Sequence, residues 1–412
     1  MGRITQAGAA GLAVALAALA GCGPAGSSAG PAAGITAGQL RQSVAAGYRF
    51  LDQMMDRYAT GPVPRLVPSY AAGPAGQPPS AASFTYDDAL VIDAYLAMGG
   101  RAGRSRAEVI GNGLLYVQAH DPRHDGRLRA AYGPGPLRRP ADVRVVGPAS
   151  LAGNMAWAGQ ALVRLYAATG RRAYLTGALA IGNWIQAHCR DTRGPGGYTG
   201  GQGAGGQRIA WKSTEHNIDL YALFSMLAAQ TRDPAWSARA AWARFFVVSM
   251  WDRQAGRFYA GTTTDGFTPN DSLRPEDVNS WSYLALRDPR YAASVGWDVR
   301  SLAASARGYP GVSFCRGDRT GVWYEGTAHL ADALEFRGAP GDAALAARYL
   351  AGLNRAAARG PGAGRGAIPA VSRSGLRDCD GGTHAAALHT GTTAWYLLAA
   401  RKVNPLAVSP AG

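Results

Sequence analysis

The sequence predicts an all-α fold in which about twelve helices pair into six hairpins that stack or close into a ring. Apolar residues recur with the helical period in about twelve segments, while no segment shows the alternation that marks a half-buried strand. An internal repeat points the same way. "VQAHD" at Val117 is echoed by "IQAHC" at Ile185, and the segments ending near 120, 188 and 251 are each followed by an Asp and then by "DGRL", "PGGY" or "AGRF". Helical hairpins of this size cannot bury their apolar faces alone, so they must stack or close on one another.

The chain opens with Arg3, a small-residue apolar run from Ala9 to Ala20, and "LAGC" ending at Cys22. This start resembles a bacterial lipoprotein signal, which implies cleavage before Cys22, lipidation of that cysteine and export to the outer face of the cell membrane. Residues 23–37, rich in Gly, Pro, Ala and Ser, read as a flexible linker. The helical domain then occupies 38–407. Its segments fall near 38–59, 84–99, 105–120, 150–169, 172–189, 215–230, 233–250, 277–287, 291–305, 323–336, 342–358 and 385–401. Those near 84, 150, 215, 277, 323 and 385 begin with polar or aromatic clusters and continue small and apolar, as inner helices of a ring would. The intervening segments carry more Arg and Asp and suit the outer layer.

A formal charge of +15 invites a nucleic-acid reading. The basic residues are scattered, however, and only Lys212 and Lys402 are lysines, so the excess is an arginine bias and not a binding patch. No nucleic-acid partner is expected; an acidic glycan or an anionic membrane suits the charge better. "GQGAGG" at Gly201 has the letters of a dinucleotide loop but no preceding strand, and is read with Gly194–Gln207 as part of a cleft rim. The loops at 60–82 and 121–149 are expected to wall the same face. Cys315 and Cys379 lie in loops and could pair in an oxidising compartment, whereas Cys189 ends a helix and should be buried. Cys315, Cys379, His384 and His389 lack tight ligand spacing, so no metal or other cofactor is expected.

In a double ring the inner N-termini share one face, and the polar clusters should converge there. Those clusters include "YDDAL", "STEHNID" and "WYEGTA", and the last inner segment runs "TAWYLLAARKVNP". Together they resemble bacterial members of the six-hairpin glycosidase-like superfamily, the (α/α)6 toroids. The resemblance spans about residues 38 to 407 and implies carbohydrate chemistry in a cleft at that face.

Glycosidic cleavage uses a carboxylic acid to protonate the leaving oxygen and a second carboxylate to activate water or attack directly. Glu215, with Asp87 or Asp88 opposite and Glu325 in reserve, are the candidate catalytic residues. Glu215 and Asp219 are four apart and share a helix face, where like-charge repulsion can raise one pKa. Tyr86, Trp157, Trp211, Trp281, Trp323 and Tyr324 are expected to present rings to sugar faces. Lys212, His216, Asn217, Asp219, Asn279 and His389 are expected to supply polar contacts. The expectation is a monomeric glycoside hydrolase needing no cofactor. The alternatives are a glycan-binding protein on the same ring, or a lyase with a His or Tyr base.

Overall fold

The computed structural model describes residues 34–71, 81–359 and 366–407. The leader, Cys22 and residues 23–33 of the linker lie outside the described residues, as does part of the 60–82 loop. Among the described residues there are twelve α-helices, and none is long and apolar enough to cross a membrane.

Six of them form the inner ring: α2 (Thr85–Met98), α4 (Ala152–Thr169), α6 (Thr214–Thr231), α8 (Asp277–Leu286), α10 (Tyr324–Arg337) and α12 (Thr390–Ala400). Each packs on the next, and α12 returns to α2, so the ring closes. The outer layer is α1 (Ala37–Met55), α3 (Gly100–Ala119), α5 (Arg172–Cys189), α7 (Pro234–Ser249), α9 (Ala292–Ser301) and α11 (Asp342–Arg359). Five outer helices follow their inner partners in the chain, while α1 packs on α12 and completes the sixth hairpin from the two ends of the domain. The inner helices are buried nearly all round, the pattern of a helix enclosed by others.

One side-chain device recurs six times. Counting α8 from Glu276, whose backbone is already helical, the fourth residue of every inner helix accepts a backbone N–H from the loop before it. Val67 donates to Asp88 (2.9 Å), Leu128 to the Met155 sulfur (3.4 Å) and Tyr198 to Asn217 (2.9 Å). Phe258 donates to Asn279 (2.8 Å), Val312 to Thr327 (3.1 Å) and Ile368 to Thr393 (3.0 Å). A buried N–H left without a partner costs about 1–3 kcal/mol, so this position fastens each loop to its helix.

The loops also carry short antiparallel strands that periodicity does not reveal. The segment expected as helix to 305 stops at Ser301, and Ala303–Ala306 pairs with Tyr309–Val312. Arg307 and Gly308 join those strands at φ of 52° and 82°, the two positive angles of a tight hairpin turn. The last inner helix begins at Thr390 and not near 385, because Thr383–His384 pairs with Leu376–Arg377. A disulfide joins Cys315 to Cys379, and Cys189 is a buried free thiol at the end of α5.

Candidate active site

The second residues of the six inner helices, counted in the same way, are Tyr86, Gly153, Glu215, Asp277, Glu325 and Gly391. Three consecutive helices of the ring therefore contribute carboxylates, and the other three contribute one tyrosine and two glycines. The glycines make room for neighbours. A Cβ on Gly153 would lie 2.4 Å from the His216 ring, and one on Gly391 would lie 2.3 Å from the Asp87 carboxylate.

One turn deeper, the sixth residues are Leu90, Trp157, Asp219, Trp281, His329 and Trp395. They make a buried aromatic floor. Trp157 meets Trp281 at 5.2 Å and Trp395 at 5.7 Å between ring centres, and His329 meets Trp281 at 5.0 Å and Trp395 at 4.3 Å. The Trp395 indole N–H donates to the Tyr86 hydroxyl (2.7 Å), and Tyr86 donates in turn to Glu325 (2.8 Å). That chain fixes Glu325 from below.

Glu325 has two further neighbours of opposite character to itself. His329 Nε2 lies 3.8 Å from one carboxylate oxygen and His389 Nδ1 lies 3.5 Å from the other. Each imidazole is backed by a second carboxylate, His329 by Glu276 at 3.0 Å and His389 by Asp87 at 3.3 Å. Burial opposes the ionisation of Glu325, but His329 and His389 outweigh it and hold its carboxyl well below the usual range. His329 shows the reciprocal effect: burial works against its cation, yet Glu276 and Glu325 push its pKa up to about 9. His389 also stands at the start of α12, its Nδ1 lying 2.9 Å from the Thr392 hydroxyl and 3.1 Å from the Thr392 amide nitrogen, and Tyr70 stacks on its ring at 4.4 Å.

Glu215 stands in the opposite environment. It is half-buried, and burial together with repulsion from Asp380 and Glu325 pushes its pKa up to about 7. Beneath it Asp219 is fully buried with its pKa raised well above the ordinary value by burial and by Glu215. His216 is pushed down to about 4 by burial and is neutral at physiological pH. Trp211, also half-buried, lies 5.6 Å from the His216 ring and covers Gly200.

Several residues expected to face substrate do other work. Asp88, with its pKa pushed up to about 8 by burial, occupies the loop-fastening position and is bonded to Val67 and Ser83. Asn217 and Asn279 occupy the same position on α6 and α8. Lys212 is 1% exposed; its ammonium donates to the carbonyls of Arg193 (2.6 Å) and Gly196 (2.7 Å) and lies 3.6 Å from Asp191, stapling a rim loop. Trp157, Trp281 and Asp219 belong to the floor, with no open face for a sugar. Tyr324 turns outward to a small gap beside Tyr309 and Leu353, and Trp323 packs in a separate cluster with Val371 and Leu376. Asp87 lies against Gly391 and 3.3 Å behind His389.

The sequence reading passed over His329, Trp395, Tyr70, Glu276, Asp277 and Asp380. Two of these carry a legible signal. His329 is four residues after Glu325 and shares its helix face, and Asp277 follows the start of its helix as Glu215 and Glu325 follow theirs. Among the described residues no group of three or more His, Cys, Asp or Glu side chains is arranged to hold a metal ion.

No protein-family model and no curated protein matches the sequence. Solved structures do match by shape. A glycosidase in complex with glucose superposes with a TM-score of 0.64 at 14% identity, covering 91% of this chain and 100% of that one. Cellobiose 2-epimerase from Bacillus thermoamylovorans gives 0.66 at 11% identity, covering 88% and 97%. A family 76 glycoside hydrolase, a mannosidase from Bacteroides thetaiotaomicron, gives 0.57 at 13%, covering 87% and 97%. The chain therefore has the six-hairpin (α/α)6 toroid fold that glycosidases and sugar epimerases share.

Proposed function

We propose that the protein is a glycoside hydrolase, exported and lipid-anchored through Cys22, that cleaves a polysaccharide or oligosaccharide as a monomer without a cofactor. One observation carries the reading: two glutamates at equivalent helix positions stand in opposite surroundings, Glu325 between two imidazoles and Glu215 facing Asp380 and Asp219. Glu215, raised to about 7, holds a proton near neutral pH and can give it to the leaving glycosidic oxygen as the C–O bond breaks. Glu325, kept ionised by two imidazoles, can take a proton from the attacking water. Trp211 and Tyr86, both partly exposed, are the rings that remain available to a sugar. The anchoring rests on the leader sequence alone.

The fold also houses epimerases, which must move a proton on and off a sugar carbon. The bracketing of both candidate imidazoles argues against that chemistry here. His329 and His389 each face a carboxylate from either ring nitrogen. The test is product release from a panel of neutral and acidic glycans by the protein lacking residues 1–22, beside Glu215→Gln and Glu325→Gln. Shortened products from the wild type and from neither variant support hydrolysis. An isomerised sugar of unchanged length would establish epimerisation instead, and glycan binding without turnover would leave a binding protein on the same ring.

A further inference from the structure

We propose that Asp380 is a positioning carboxylate of this cleft, delivered over the start of α8 by a flap that the Cys315–Cys379 disulfide clamps in place, and that it acts through Glu215. The inference rests on the reading of Glu215 as the acid. The path that places Asp380 is short. It directly follows Cys379, which is bonded to Cys315 with the two Cα atoms 5.3 Å apart. Cys315 pairs antiparallel with Pro275, and the next two residues, Glu276 and Asp277, open α8. α8 packs between α6 and α10, so the flap is tied to the start of the helix whose two neighbours carry Glu215 and Glu325.

The flap is ordered by its own chemistry. One Asp378 oxygen accepts the amides of Asp380 (3.0 Å) and Gly382 (2.7 Å), and His384 lies 3.6 Å from the other. The root is a small apolar cluster of Trp323, Val371 and Leu376 with Phe314 packed against it. Trp323 in turn meets His329 edge-on at 5.2 Å, so the flap is mechanically continuous with the group that holds Glu325. Asp380 itself is exposed at the tip.

Glu215 faces Asp219 on its own helix, Asp277 on α8, Glu325 and His329 on α10, and Asp380 on the flap. After burial, Asp380 is the strongest influence raising its pKa. A carboxylate clamped beside the acid keeps that acid loaded with its proton at neutral pH. Reduction of the disulfide would loosen this hold without touching Glu215.

The chain has five glutamates, Glu108, Glu215, Glu276, Glu325 and Glu335, so glutamate-selective carboxyl labelling gives five NMR signals, and the Glu215→Gln spectrum identifies the one from Glu215. Asp380→Asn is expected to lower the Glu215 titration midpoint by about one pH unit. Reducing the wild-type disulfide is expected to do the same, with no added effect in Asp380→Asn, while the Glu108 and Glu335 signals report an intact fold. An unmoved midpoint in Asp380→Asn overturns the proposal, and an unmoved midpoint on reduction overturns the clamp. Because the titration needs no turnover, it is separable from the hydrolase reading: a shifted midpoint in a protein that cleaves no glycan would sustain this inference while removing that one.

Discussion

The starts of α6 and α10 place a glutamate at the same helical position, and the two glutamates behave in opposite ways. Around Glu325 the ring supplies His329, His389 and the Tyr86 hydroxyl, all able to donate or to carry positive charge. Around Glu215 it supplies Asp219 and Asp277, the flap adds Asp380, and the neighbouring His216 is neutral. The lesson is that role follows from neighbours and not from residue type: equal side chains on equal scaffolds become an acid and a base when their surroundings pull their pKa values apart.

The most severe way to break this contrast is to neutralise either member. Glu215→Gln and Glu325→Gln are each expected to lower kcat/KM by roughly 100- to 10,000-fold, the range of a lost proton-transfer group, as read by product release. A change to the scaffold should separate stability from chemistry. Asn217→Ala leaves the Tyr198 amide without its acceptor and is expected to cost about 1–3 kcal/mol in denaturant unfolding.

Removing one cation sharpens the contrast from the Glu325 side. His329→Gln takes away an imidazole 3.8 Å from the Glu325 carboxylate that holds it ionised, so the Glu325 pKa rises and the acidic limb of the kcat/KM profile moves to higher pH. The same groups couple stability to pH. His329 is raised from an ordinary 6.5 to about 9, so its contribution is fully present below 6.5 and is lost as pH rises through 9. Glu215, raised to about 7 from 4.5, loses stabilisation in the same direction between those values. Thermal unfolding is therefore expected at a lower temperature at pH 9.5 than at pH 6.

The smallest effect is expected at Asp88. Its counterparts on α6 and α8 are Asn217 and Asn279, and its own carboxyl is pushed up to about 8. Asp88→Asn keeps the acceptor for the Val67 amide and is expected to change stability by less than about 0.5 kcal/mol, with activity retained. A loss of activity as large as that of Glu215→Gln would return Asp88 to the chemistry.

Asp88 also shows where sequence reading stopped. Periodicity and the echoed loop motifs were enough to find the helices, their inner and outer alternation and the face at which the clusters meet, because core burial imposes those patterns directly. Within one cluster, however, adjacent residues point about 100° apart, and "YDD" alone does not say which carboxylate faces the cleft. The hydrogen-bonding register of the inner helices decides it, and that register requires aligning all six starts. Lys212 was misread for a related reason: a lone lysine beside Glu215 looks functional until the loop carbonyls that surround it are in place. Asp380 could not be reached at all, since it is far from α6 and α8 in the chain and is tied to the start of α8 through a disulfide.

The most direct test is a carboxyl NMR titration of the wild-type glutamates. The account predicts that Glu215 titrates near pH 7 while Glu325 stays ionised to the lowest pH at which the protein remains folded. Both signals titrating together in the ordinary glutamate range would contradict it.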